Sequence, residues 1–266
     1  MGSLAQCFAK AKPKAKFIPY LSLGDPTMEL SVEWSKSIAD AGADILELGI
    51  PFSDPVADGP VIQASYKRAL AAGFSMAKVL EITGKIHKNS PEIPLVYLSY
   101  FNPINTYGLE RFFQESYQAG IRGMVLPDIP FDSKDSQKVF TLAERYKIDI
   151  INLITPSTPL SRMRKMKKVA SGFIYYVTSF GVTGVRTAFA DNLSERVQIV
   201  KDTLQIPVCA GFGISRPEQA REISQYADGI IIGSAVQKII EKYAENPDEC
   251  NRQLGRYIKE IRASIA

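Results

Sequence analysis

Residues 40–60 read Asp40-Ala-Gly-Ala-Asp44-Ile-Leu-Glu47-Leu-Gly-Ile-Pro-Phe-Ser-Asp54-Pro-Val-Ala-Asp58-Gly-Pro60. The Ala-Gly pair after an amphipathic stretch marks a helix end, because glycine takes the left-handed C-cap conformation at least cost. Asp44 to Gly49 reads as a strand, and a long loop rich in Pro and Asp leads into a helix near Val61. Helix end, short turn, strand, long loop and helix start make up the repeating unit of a parallel sheet with helical crossovers.

The unit recurs about eight times. Strands are expected at Phe17 to Leu23, Asp44 to Gly49, Leu95 to Leu98, Gly123 to Leu126, Ile148 to Ile154, Phe173 to Val177, Val208 to Gly211 and Gly229 to Ile232. Helical periodicity is expected in Glu29 to Ala41, Val61 to Ala72, Met76 to Lys88, Leu109 to Ala119, Ser133 to Tyr146, Pro159 to Ala170, Leu193 to Lys201, Pro217 to Tyr226, Ala235 to Tyr243 and Asp248 to Ala266. With 266 residues and 45% hydrophobic content, this pattern predicts an α/β fold, one (β/α)8 TIM barrel spanning residues 1–266 with extra helices. An open doubly wound sheet is the alternative. Short turns such as Gln118-Ala-Gly-Ile-Arg122 mark the barrel's bottom, and the longer Gly- and Pro-rich segments after strands mark the top, where barrel chemistry sits.

Composition excludes several function classes. Lys plus Arg number 32 and Asp plus Glu 28, and the net +4 equals the contribution of Lys10, Lys12, Lys14 and Lys16 alone. A short basic run without interleaved aromatics gives no footprint for nucleic acid. Cys7, Cys209 and Cys250 lack metal or redox spacing, so reduced thiols in a cytoplasmic chain are expected. Neither a signal peptide nor a membrane span is expected, and Gln6 departs from the myristoylation pattern that Gly2 begins. The single histidine, His87, leaves metal sites and Ser/His triads unsupported, and no lysine is expected within or directly after a strand as a Schiff-base former.

Alternation in Asp44 to Gly49 puts Leu46 and Leu48 on one face and Glu47 on the other. If the leucines meet the helices, Glu47 points into the barrel near its top. A buried carboxylate costs several kcal/mol unless paired, hydrogen-bonded or protonated, so the alternatives are a structural ion pair and a catalytic acid/base. Asp54 and Asp58 are open between an Asx-turn or helix-cap role and a part in the chemistry. Turns at Phe180-Gly-Val-Thr-Gly-Val-Arg186, Gly211-Phe-Gly-Ile-Ser215 and Gly233-Ser-Ala235 suit a phosphorylated substrate, because bare amides approach an anion closely. Thr178 to Asn192 is long enough for a lid. Tyr20, Leu98, Tyr100 and Tyr175 suit a flat apolar moiety, although barrel filling explains them as well.

The segments Ile18-Pro-Tyr-Leu-Ser-Leu-Gly-Asp-Pro26, Leu46 to Pro60, Gly181-Val-Thr-Gly184, Gly211-Phe-Gly-Ile-Ser215 and Gly233-Ser234 together resemble the tryptophan synthase α family. The resemblance implies retro-aldol cleavage of indole-3-glycerol phosphate to indole and glyceraldehyde 3-phosphate, with no metal or organic cofactor in this chain. It implies Glu47 and Asp58 as the catalytic pair. Tyr20, Leu98 and Tyr100 would line the indole pocket with Tyr175 beside the reacting carbon, Gly184, Phe212, Gly213, Gly233 and Ser234 would serve the phosphate end, and Thr183 would sit in the lid. A helix suggested by Leu4, Cys7 and Phe8 would cover the barrel's bottom. A β subunit carrying pyridoxal phosphate is the implied partner, in an α2β2 heterotetramer, meeting Asp54, Asn102, Pro103, Asp128 and Pro130. A stand-alone lyase and a catalytically weak partner-activating subunit are the alternatives. Two departures from the family pattern are Tyr20, where many relatives have Phe, and Thr178-Ser-Phe180, where Ser-Arg-Xaa is common.

Overall fold

The computed structural model describes residues 3–10, 15–177, 193–211 and 213–265. Its strands are β1 (Lys16–Ser22), β2 (Leu46–Gly49), β3 (Leu95–Leu98), β4 (Ile121–Val125), β5 (Asp149–Ile154), β6 (Ile174–Val177), β7 (Val208–Gly211) and β8 (Gly229–Ile232), all parallel and paired in chain order. Lys16 to Pro19 pair with Gly229 to Ile232, so β1 meets β8 and the sheet closes. A closed barrel, not an open doubly wound sheet, is the result.

The helices are α1 (Leu4–Ala9), α2 (Met28–Asp40), α3 (Pro60–Ala71), α4 (Met76–Asn89), α5 (Phe101–Tyr107), α6 (Leu109–Gln118), α7 (Lys134–Tyr146), α8 (Leu160–Met166), α9 (Leu193–Leu204), α10 (Pro217–Ile223), α11 (Ser234–Tyr243) and α12 (Pro247–Ser264). Strand alternation divides the core into two layers. Leu46, Leu48, Tyr97, Ile150, Ile230 and Ile232 join the core beneath the helices, while Ile18, Ile45, Val96, Val125, Ile151 and Ile231 fill the barrel. Each such aliphatic side chain contributes roughly 1.5–3 kcal/mol on burial.

At the bottom, α1 is fixed by a reciprocal cap between Ser3 and Gln6, and it drives Leu4 into the barrel. A Cβ on Gly123 or Gly172 would lie 2.9 or 3.0 Å from Leu4 Cδ1, so both positions make room for this plug. The helix ends expected at Gly42 and Gly120 have φ of +114° and +99°, as the left-handed cap requires.

Three expectations need correction. The segment containing Asn102 and Pro103 is not merely a loop but α5, whose first turn tolerates proline because its N–H would lack a helical partner anyway. Both carboxylate oxygens of Asp128 accept from Phe101 N, at 3.1 and 2.9 Å, and so anchor the start of this helix. β1 begins one residue earlier than expected and β4 two, which brings Lys16 and Arg122 into strands. Both lie at the bottom ends, where Lys16 Nζ donates to Lys10 O and Arg122 Nη1 to Ile121 O, remote from the barrel's mouth.

Candidate active site

Glu47 sits on β2 with its side chain turned inward, 2% exposed, in register with Tyr20 of β1 and Val96 of β3. Its Oε1 has no hydrogen-bond partner. Burial, reinforced by the negative charge of Asp58, pushes its carboxyl from the ordinary 4.5 up to about 8. The structural ion pair considered from sequence is absent among the described residues.

Asp58 is held by the loop that follows β2. Asp58 N donates to Pro55 O at 3.1 Å, and Val56 N to Asp54 O at 2.9 Å. The Tyr100 hydroxyl donates to Asp58 Oδ2 at 2.6 Å and accepts from Ala57 N at 3.0 Å, so one phenol fixes both carboxylate and loop. The N-cap of α3 is Gly59, without a side-chain cap bond, and Pro60 opens the helix. Asp58 therefore does not cap α3. Burial raises its carboxyl to about 6 against the opposing hydrogen bond from Tyr100.

Both carboxylates line one cavity of about 400 Å³ at the barrel's top. Tyr20, Leu98, Pro127, Leu153, Tyr175 and Ile231 give it an apolar wall. Two tyrosines lie against bare backbone: a Cβ on Gly49 would stand 1.9 Å from the Tyr20 hydroxyl, and one on Gly211 would stand 2.5 Å from Tyr175 Cε1. The hydroxyl that distinguishes Tyr20 from Phe is employed in the fold. It donates to Tyr66 at 3.0 Å and lies 2.9 Å from Ser22 Oγ, which in turn lies 2.6 Å from Ser65 Oγ on α3.

Gly213, Gly233 and Ser234 line the same cavity on its β7–β8 side. Gly213 has φ +79° and open space where a side chain would be, and Gly233 caps α11 without a side-chain bond, which leaves first-turn amides for a ligand. Thr183, Gly184, the proposed lid at 178–192 and Phe212 lie outside the described residues. Tyr100 does not line the cavity; its ring packs behind Asp58 with Tyr20, Ile62 and Tyr66. Asp54, Asn102, Asp128 and Pro130 are exposed and Pro103 is half-buried, with Asp54 accepting from the Ser53 hydroxyl.

Sequence reasoning missed several lining residues. Leu153 and Ile231 lie on inward positions of strands already expected, so extending that alternation finds them. Arg216 and Lys238 gave no such signal, since exposed cations near helix starts resemble any solvated surface. No group of three or more His, Cys, Asp or Glu suited to a metal occurs among the described residues.

A family model described as tryptophan synthase alpha chain matches residues 6–266. The tryptophan synthase alpha chain of Leptospira borgpetersenii is 56% identical over 265 residues, covering 100% of both chains, and that of Leptospira interrogans is 52% identical over the same length and coverage. Among solved structures, tryptophan synthase subunit alpha from Legionella pneumophila aligns with a TM-score of 0.89 at 32% identity, covering 100% of this chain and 98% of that one. A chain of Mycobacterium tuberculosis tryptophan synthase aligns with a TM-score of 0.88 at 31% identity, covering 100% and 99%. The chain belongs to the tryptophan synthase alpha chain family.

Proposed function

We propose that this barrel is a lyase of tryptophan biosynthesis, cleaving indole-3-glycerol phosphate to indole and glyceraldehyde 3-phosphate with Glu47 and Asp58 as its acid/base pair. The observation that carries the reading is the separation of two carboxyls in one cavity, near 8 for Glu47 and near 6 for Asp58. At neutral pH, Asp58 is then mostly ionised and Glu47 mostly protonated, which suits Asp58 to accept a proton and Glu47 to donate one.

Asp58 accepts the indole N–H proton, or holds it in a hydrogen bond, as the ring tautomerises. Glu47 protonates the ring carbon that will leave. As the carbon–carbon bond breaks, the Glu47 carboxylate takes the proton of the glycerol hydroxyl that becomes the aldehyde, and Asp58 returns its proton to nitrogen. The net transfer is one proton from hydroxyl to ring carbon, so neither metal nor organic cofactor is required of this chain. Tyr20, Leu98 and Tyr175 enclose the indole; Gly213, Gly233 and Ser234, joined by Phe212, Thr183 and Gly184, serve the phosphate end.

A β subunit carrying pyridoxal phosphate receives the indole in an α2β2 assembly in the cytoplasm and joins it to L-serine. The top-face residues Asp54, Asn102, Pro103, Asp128 and Pro130 supply the contact surface, and the three free, buried cysteines agree with a reducing compartment.

The test is indole release with and without a β subunit. Glu47→Gln and Asp58→Asn are each expected to lower kcat by about 10²–10⁴-fold. The wild-type pH profile of kcat/KM should rise near 6 and fall near 8. Near-normal turnover by Glu47→Gln would sink the mechanism. Full activity without the β subunit would select a stand-alone lyase, and negligible activity in both conditions a partner-activating subunit.

A further inference from the structure

Two cations stand in the cavity wall beside the glycine turns, and no step above uses them. Arg216 immediately precedes α10, and Lys238 lies on α11 one turn beyond Ser234, so residues 234 and 238 share a helix face. Both side chains are exposed where they line the cavity. Neither acts on the catalytic carboxyls: Glu47 responds to burial and to Asp58, and Asp58 to burial and to Tyr100. The cavity is thus divided, with carboxyls on its β2 side and cations on its β7–β8 side.

A phosphate monoester carries about −1.5 to −2 charges at neutral pH. Main-chain amides recognise its shape and oxygens but supply only partial charge, and a nearby ionised carboxylate repels it. Full cations at the opposite end offset that repulsion and orient the substrate so that its apolar ring enters toward Glu47. Arg216 offers a planar fork and Lys238 a mobile point charge, two ways of meeting a tetrahedral dianion.

We propose that Arg216 and Lys238 form a charge-selecting pair that binds the substrate's phosphate group from the cavity rim, outside the main-chain cradle. The inference rests on the phosphorylated-substrate reading above and adds the residues that make charge a criterion of selection. Because the phosphate does not change during bond cleavage, the pair binds ground state and transition state alike. Its loss therefore raises KM and leaves kcat in place.

The test measures kcat and KM for Arg216→Gln, Lys238→Gln, the double variant and Arg216→Lys, in the full chain at low and high ionic strength. Calorimetric titrations with glycerol 3-phosphate and with inorganic phosphate accompany the kinetics. Each single change to Gln should raise KM by roughly five- to tenfold, the size expected of an exposed charge-assisted contact. Arg216→Lys should recover most of that loss. Wild-type KM should climb with salt, whereas the double variant's should barely move. An unchanged KM in the double variant overturns the proposal, as does an equal rise in KM for unphosphorylated indole glycerol. If the wild type fails to cleave indole-3-glycerol phosphate yet needs both cations to bind glycerol 3-phosphate, the reaction falls and charge selection stands. If cleavage is normal and the double variant keeps its phosphate affinity, charge selection alone falls.

Discussion

Asp44 and Glu47 are three residues apart and live in opposite conditions. Asp44, at the bottom of the barrel, accepts from Phe17 N and from Arg262 Nη1, both at 2.8 Å, and so ties α12 to the start of the sheet. Asp228 repeats the arrangement under β7, taking Val208 N at 2.9 Å and Lys201 Nζ at 2.7 Å. Glu47, at the top, is deeper than either and has one oxygen without a partner. The difference teaches that the barrel spends its hydrogen-bond donors where carboxylates hold helices to strands, and leaves the deeper Glu47 short of them, so that burial raises its carboxyl.

The largest test of that contrast is Glu47→Gln, which should abolish most turnover and yet change stability in a pH-dependent way. The folded state holds a proton on Glu47 that the unfolded chain releases, so wild-type stability falls as pH rises from about 4.5 to about 8 and then levels. The glutamine variant lacks this slope. Urea unfolding of both proteins at pH 5 and pH 8.5 measures it, and parallel stability curves would break the comparison. Next in size is Asp44→Ala, expected to cost about 2–3 kcal/mol by leaving Phe17 N–H and the Arg262 guanidinium without their acceptor. Denaturant midpoints check this, while kcat should hold. Smallest is Tyr100→Phe, which removes a hydrogen bond that holds Asp58 down. The acid limb of kcat/KM should move above its wild-type position near 6, with the alkaline limb near 8 staying in place.

Strand alternation made the barrel legible, because a period of two over short runs says which face is covered on each side. It also carried Glu47, whose inward position follows from Leu46 and Leu48 facing the helices. Asp58 was harder: Asp-Gly-Pro before a helix suits a cap as well as a site, and only Gly59 occupying the cap position separates the two. The role of Tyr100 depended on a partner 42 residues away, and no local pattern encodes that distance. α5 escaped because Asn-Pro reads as a loop until Asp128 is seen anchoring its first amide.

Barrel closure has a consequence for the order of folding. β1 is flanked by β2 and β8, so the ring is complete only when strands from opposite ends of the chain meet. Such long-range pairing costs loop-closure entropy before it returns any stabilisation. During synthesis Glu47 emerges early and titrates as an ordinary glutamate in water. The burial that raises its carboxyl belongs to the closed ring, which β8 completes beside β1. On the acid/base reading proposed above, a nascent chain short of β8 would carry Glu47 and Asp58 without the enclosed wall whose burial raises their carboxyls.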